Sequence, residues 1–294
     1  MDSLKLEDRL EINTIIWIQS IPPEEVGPSN RMFEDLEAQA LRGGLAVERL
    51  IIHTRKEALS ALAKLAERAA NGLRPILHFD CHGSKTQGLF LDQAGEFLSW
   101  QELADNLRPI NVATRNNVCC VFGVCFGIHL SFELRLSRPS PYFLTIAPER
   151  EICVGILEAL TGEFYKRLNE TKNITQAYSD ILAPELHLFH SRAVFAEALA
   201  TYINQHCQGK RGAARRERLL TESLEAQGIT QPTRDQLKAT RALIKELVTP
   251  SQALIDKFAP TFLIGREPGF GIVELERLAN GRSARRHRSP KNLI

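Results

Sequence analysis

The chain has 294 residues, of which 44% are hydrophobic and 24% charged, with a formal net charge of +2. That length suffices for one large domain or two modest ones with a sizeable core, and the composition is that of ordinary soluble globular proteins. The near-neutral charge sets up no global field for a polyanion, and no apolar run approaches the ~20 residues of a membrane span. The N-terminal MDSLKLEDRLEI has mixed charge and no apolar signal region, so a cytoplasmic protein is expected. Its six cysteines (81, 119, 120, 125, 153 and 207) are then expected to be reduced thiols. They form no CxxC pairs, and neither a metal nor an organic cofactor is expected.

Ile12–Ile18, INTIIWI with its lead-in, reads as a first buried strand, with Trp17 in the core. PPEEVGPSN reads as a loop from its Pro, Gly and Ser content. Arg31–Arg42 has helical spacing in Phe33, Leu36 and Ala40, and Gly43-Gly44 stops it. Val47–His53 predicts a second strand. Lys56–Ala70 predicts a helix with Leu59, Leu62, Leu65 and Ala69 on one face. Pro75–Phe79 begins a third strand, and Gly88–Leu91 is a short hairpin arm. Ser99 is a suitable N-cap, with Glu102 at the capping-box position, for a helix over Trp100–Leu107. Val118–Val124 predicts a fourth strand, a short helix runs through Leu136, and Tyr142–Ile146 predicts a fifth strand. Ile152–Leu168 and Thr175–Leu182 are helical.

This alternation of strands and helices implies an α/β fold: an open, mainly parallel sheet with helices on both faces. From about Pro184 the sequence is mostly helical, polar and basic. Lys210–Arg218, KRGAARRER, is expected as an exposed loop or helix start, Pro250–Phe258 as a helix, and Thr261–Leu275 as a hairpin around Arg-Glu-Pro-Gly. The expected organisation is a domain over 1–183, a mostly helical region with a possible hairpin over 184–281, and a basic, disordered tail over 282–294.

Ligands of such sheets sit at the carboxyl ends of the strands. His82 lies just past the third strand and Cys125 just past the fourth. A histidine and a cysteine on neighbouring strand tips can act as a dyad, in which the imidazole takes the thiol proton and the thiolate attacks a carbonyl. Cys119 and Cys120 lie inside an apolar run and read as packed thiols, and Cys81 faces away from His82 along an extended chain. Cys153 and Cys207 read as incidental. His129 lies one helical turn past Cys125, where a helix would carry it away from the thiol. Asp80, on the His82 side of its strand, could orient a ring or line a pocket for a basic side chain.

HFDCHG, GLFLDQAGEFLSWQEL, VCCVFGVCFG and TGEFYKRLNETKNITQAYSDI, in this order over roughly residues 11–183, resemble the motifs of caspase-fold (clan CD) cysteine peptidases, and more closely those of their CHAT branch. The resemblance implies His82 as general base and Cys125 as nucleophile, with the amides of Gly83 and Cys125 as the oxyanion hole. It implies a peptide or protein substrate and a caspase-like sheet. It also implies activation by a sensor protein or ligand in a bacterial defence or cell-death pathway, with antiviral defence among them. Relatives that cut after basic residues use pocket carboxylates, and Asp80, Glu149 and Glu151 are the candidates here. Two alternatives stand beside this reading. One is a catalytically inactive, caspase-like interaction scaffold. The other, less favoured, is a nucleic-acid-binding effector acting through the basic segments 210–218 and 282–291. No membrane partner is expected.

Overall fold

The computed structural model of the chain describes residues 9–283. In chain order it contains β1 (Thr14–Ser20), α1 (Val26–Arg42), β2 (Ala46–Ile51), α2 (Arg55–Ala70), β3 (Pro75–Cys81), β4 (Gly83–Ser84), β5 (Gly88–Leu91), β6 (Glu96–Leu98) and α3 (Trp100–Ala113). Then follow β7 (Cys119–Gly123), β8 (Leu144–Ala147), α4 (Val154–Thr171), the single-turn α5 (Ile174–Ala177) and β9 (His187–His190). The helices α6 (Ser191–Tyr202), α7 (Gly209–Ala226), α8 (Arg234–Val248), α9 (Gln252–Phe262) and α10 (Ile272–Ser283) complete it. Six strands form one sheet in the order β2-β1-β3-β7-β8-β9, all parallel except the β8–β9 pair, which is antiparallel. The α/β architecture expected from the alternation is present.

Burial on both faces explains why the strand sequences read as continuous apolar runs. Every residue of β1 and β3 is buried. Side chains alternate between two packing layers. Ile15, Trp17, Ile76 and Val121 face Met32 and Leu36 of α1 and Phe164, Tyr165 and Leu168 of α4. Ile16, Ile18, Leu77, Phe79 and Phe122 face Leu62 and Leu65 of α2 and Leu103 and Leu107 of α3. The second layer also takes in Phe195 of α6, Ile255 and Phe262 of α9, and Leu275 of α10. Each such side chain contributes roughly 1.5–3 kcal/mol on burial.

Local signals operate where the sequence places them. Ser99 accepts from the Glu102 amide while the Glu102 carboxylate accepts from the Ser99 amide, closing a capping box at the start of α3. That helix continues through Pro109 to Ala113, because Leu107 and Ile110 are both fully buried and hold it against the sheet.

Three expectations are corrected. PPEEVGPSN is not a loop: Pro23–Glu25 is a 3-10 turn leading directly into α1, with proline in the first turn, where its missing amide hydrogen is not needed. The hairpin expected over 261–275 is instead the end of α9, a turn, and the start of α10. Gly265 and Gly269 take left-handed φ values of 77° and 76°, so the glycines serve a helix-to-helix turn rather than a strand reversal. Between the expected helices at 175–182 and beyond 184 lies β9, the edge strand at 187–190. Lys210–Arg218 lies within the first turns of α7. The basic tail lies outside the described residues from 284 onward. Among the described residues, no helix is long and apolar enough to cross a membrane.

Candidate functional site

β3 and β7 are hydrogen-bonded neighbours running in parallel, and their last paired residues are Asp80 and Gly123. Each chain then continues two residues to a reactive side chain, His82 on one and Cys125 on the other. The pairing register thus brings the two predicted residues to the same level at the carboxyl edge of the sheet. Gly83 closes the arrangement. A Cβ there would run into the Cys125 carbonyl oxygen and the Val124 side chain, so only glycine allows the two backbones to meet.

The two reactive side chains are engaged by different partners, and no hydrogen bond joins them. His82 is exposed, and its Nε2 lies 3.1 Å from Glu25 Oε2, at the end of the 3-10 turn that follows β1. Because β1 is the other neighbour of β3, the turn after it emerges beside the tip of β3. With Nε2 occupied, Nδ1 is the ring nitrogen left for another group. Cys125 is half-buried, and its Sγ accepts from the Ile152 amide at 3.4 Å. The next residue, Phe126, holds a left-handed φ of 61°, which turns the chain sharply after Cys125. Its amide donates to the Arg150 carbonyl at 3.3 Å, and the Ile128 amide donates to that of Pro148 at 3.1 Å. The segment after β8 therefore lies along the Cys125 turn.

The pocket candidates occupy distinct positions. Asp80 is only 4% exposed. Its carboxylate accepts from the Ser29 hydroxyl at the end of a relay in which Arg49 Nε donates to Gln19 Oε1 at 2.8 Å and Gln19 Nε2 donates to Ser29 Oγ at 2.6 Å. Burial pushes the Asp80 carboxyl up to about 6, against the opposing pull of Ser29, Arg49, the nearby Trp17 indole and His82. The Trp17 N–H falls short of a full hydrogen bond to any group. Glu149 is exposed and pairs with His187 Nε2 at 3.3 Å, while Glu151 is exposed between Arg150 and Ile152, both of which touch the Cys125 turn. Asp80 thus stands beneath the His82 side of the site and the two glutamates beside its Cys125 side.

The remaining thiols and histidines have other places. Cys81, Cys119 and Cys120 are buried, and desolvation pushes each thiol far above its ordinary range, so none is a ready nucleophile. Cys153 is exposed and Cys207 half-buried. His129 sits in the 3-10 turn Gly127–Glu133, 4.9 Å edge-on from the Phe132 ring, with burial and then Lys85 holding its pKa down. His78 is stacked at 4.0 Å on Trp17 and bonded at 2.9 Å to the Tyr165 hydroxyl, and burial pushes its pKa down to about 3, so it is a neutral core residue. No group of three or more His, Cys, Asp or Glu among the described residues is placed to hold a metal ion.

Sequence reasoning missed Glu25, Ser29 and the Ile152 amide. Glu25 lay in a stretch read as loop, and its only signal was its place directly after the strand that flanks β3. Ser29 and Ile152 depend on how α1 and the segment after β8 fold back, which no local pattern encodes. Compared against protein-family models and against curated proteins, the chain matches none of them. What fold and geometry define together is an α/β protein with a mainly parallel six-strand sheet and a thiol and an imidazole on adjacent strand tips.

Proposed function

We propose that the chain is a cysteine endopeptidase of the caspase/CHAT type, with Cys125 as nucleophile and His82 as general base. The observation that carries this reading is the β3–β7 register, which sets His82 and Cys125 the same two residues past paired strand positions. In the proposed reaction, the imidazole takes the Cys125 proton and Sγ bonds to the scissile carbonyl carbon. The carbonyl π electrons move to oxygen, which the Gly83 and Cys125 amides receive. The intermediate collapses with cleavage of the C–N bond, and the imidazolium returns its proton to the departing amine. Water, deprotonated by His82, then releases the acid and restores the thiol. Glu25 acts as a positioning residue, holding Nε2 so that Nδ1 serves the thiol.

Glu149 and Glu151, with Asp80 deeper in, favour a basic or small uncharged residue before the scissile bond, because a desolvated cation needs a carboxylate partner. His82 and Cys125 each hold another partner, an arrangement that suits an enzyme awaiting a sensor protein or ligand, as in bacterial defence or regulated cell death. Catalytic hydrogen bonds commonly tighten only when substrate binds. The test is cleavage of a degenerate peptide library, with and without candidate activators, by the intact chain and by Cys125→Ala. The expected result is cleavage that Cys125→Ala abolishes. Cleavage that survives in Cys125→Ala would overturn the proposal.

A further inference from the structure

Away from the strand tips, the C-terminal helices enclose a concave space of about 220 Å³ against the segment that follows the turn Gly127–Glu133. Its walls are Leu136, Leu199 and Tyr202 on one side and Leu254 and Phe258 of α9 on the other. Leu199 is fully buried and belongs to the main core, while Tyr202, Leu254 and Phe258 pack partly against it, so the floor is rigid. A purely apolar cavity of about 150 Å³ already admits benzene, so this space accommodates a body of two fused rings.

The rim is cationic. Arg135 and Lys257 both line the space, and none of its lining residues is acidic. Arg135 is anchored by bonds from Nη1 to the Phe132 and Leu134 carbonyls, at 3.0 and 2.8 Å. Lys257 Nζ stands 5.3 Å from the Phe258 ring. A third cation, Arg215 of α7, donates to the Tyr202 hydroxyl at 3.0 Å and lies over its ring at 5.5 Å. A mainly apolar slot with two aromatic walls and two cations on its rim, one of the aromatic rings itself held by a third, is complementary to one kind of small molecule.

We infer that the space between α6, α9 and the segment at 135–137 is a binding site for a small organic anion with a flat apolar body, of the aromatic carboxylate class. The rings of Tyr202 and Phe258 take the body, and Arg135 and Lys257 take the charge. The inference does not depend on the thiol chemistry of Cys125.

The test is calorimetric titration of the full chain with naphthalene-2-carboxylate and with naphthalene-2-carboxamide, which has the same body and no charge. The carboxylate is expected to bind at one site, about tenfold more tightly than the amide. Lys257→Gln, an exposed substitution, should weaken the carboxylate by about threefold or more and leave the amide unchanged. Leu254→Trp, which fills the slot, should abolish both. Equal affinity for the two probes, binding of neither at millimolar concentration, or a carboxylate affinity unmoved by Lys257→Gln would overturn the inference. Since Lys257→Gln removes no buried contact, that result stands even if Leu254→Trp fails to fold. The same titration in Cys125→Ala should be unchanged, which separates this site from the proposed peptidase.

Discussion

His82 is held by Glu25 through Nε2, and in the proposed dyad that contact leaves Nδ1 as the ring nitrogen for the thiol. Both side chains are largely exposed, so the value of the pair lies in orientation rather than in stability. Glu25→Ala should therefore lower kcat by about tenfold with KM unchanged and the melting temperature unmoved, as steady-state kinetics would read. An unchanged kcat would leave Glu25 as an ordinary surface residue. Asp80 carries a different signature. Its pKa is raised by burial from 3.8 to about 6, so between those values the folded chain holds a proton that the unfolded chain has lost. Stability from this group is greatest below pH 4 and declines as pH rises to about 6, by about 3 kcal/mol in all. His78 acts in the opposite sense, because its depressed pKa costs stability as pH falls below 6.5. The two are separated by variant: urea unfolding from pH 4 to 7 should show the stability of the native chain falling relative to that of Asp80→Asn. A constant difference across that range would contradict the buried-carboxyl assignment.

At the level of the elements, the close meeting of the β3 and β7 tips rests on Gly83. Gly83→Ala should lose any Cys125-dependent activity even where the protein still folds, because the added methyl meets backbone that cannot move aside cheaply. Cys119→Ala and Cys120→Ala, both fully buried in β7, should instead cost roughly 1–2 kcal/mol of stability and leave reactivity at Cys125 unchanged. An inactive but fully stable Cys120→Ala would mean that the strand ends elsewhere. Much of this framework could be read from sequence. β1, β3 and β7 are short, largely apolar, β-branched and aromatic runs of the kind a doubly covered sheet takes, and the Ser99 capping box carries its own chemistry. β9 could not be read, because its four residues, HLFH, begin and end in polar groups and owe their strand form to pairing with β8. The turn at 263–271 has glycine and proline that suit either a hairpin or a helix connection, and only the burial of Phe262 and Leu275 in the main core decides between them. His82, Gly83 and Cys125 were legible because strand ends are local. Glu25 and the Ser29 relay were not, since they meet the site from α1 and the turn before it.

Across the whole molecule, the division expected near residue 183 crosses a continuous core. β9 completes the sheet, and Phe195, Ile255, Phe262 and Leu275 pack with the residues that line β1, β3 and β7. A fragment ending at 183 should therefore lack cooperative unfolding by heat or urea, whereas an independently folded fragment would show that the later helices are an added unit. α7 and α8 form a smaller cluster of their own around Leu220, Leu224 and Ile244. Within α7, the basic stretch at 210–218 is helical. The central claim is that the packing of the sheet makes Cys125 a nucleophile, and differential alkylation tests it most directly. Iodoacetamide should be applied to the intact chain at neutral pH and the labelled cysteines timed by mass spectrometry. Exposure alone favours Cys153, which is open to solvent, over half-buried Cys125. The predicted result is the reverse, with Cys125 labelled at least tenfold faster and the advantage lost in His82→Ala. Faster labelling of Cys153, or a Cys125 rate that His82→Ala leaves untouched, would contradict it.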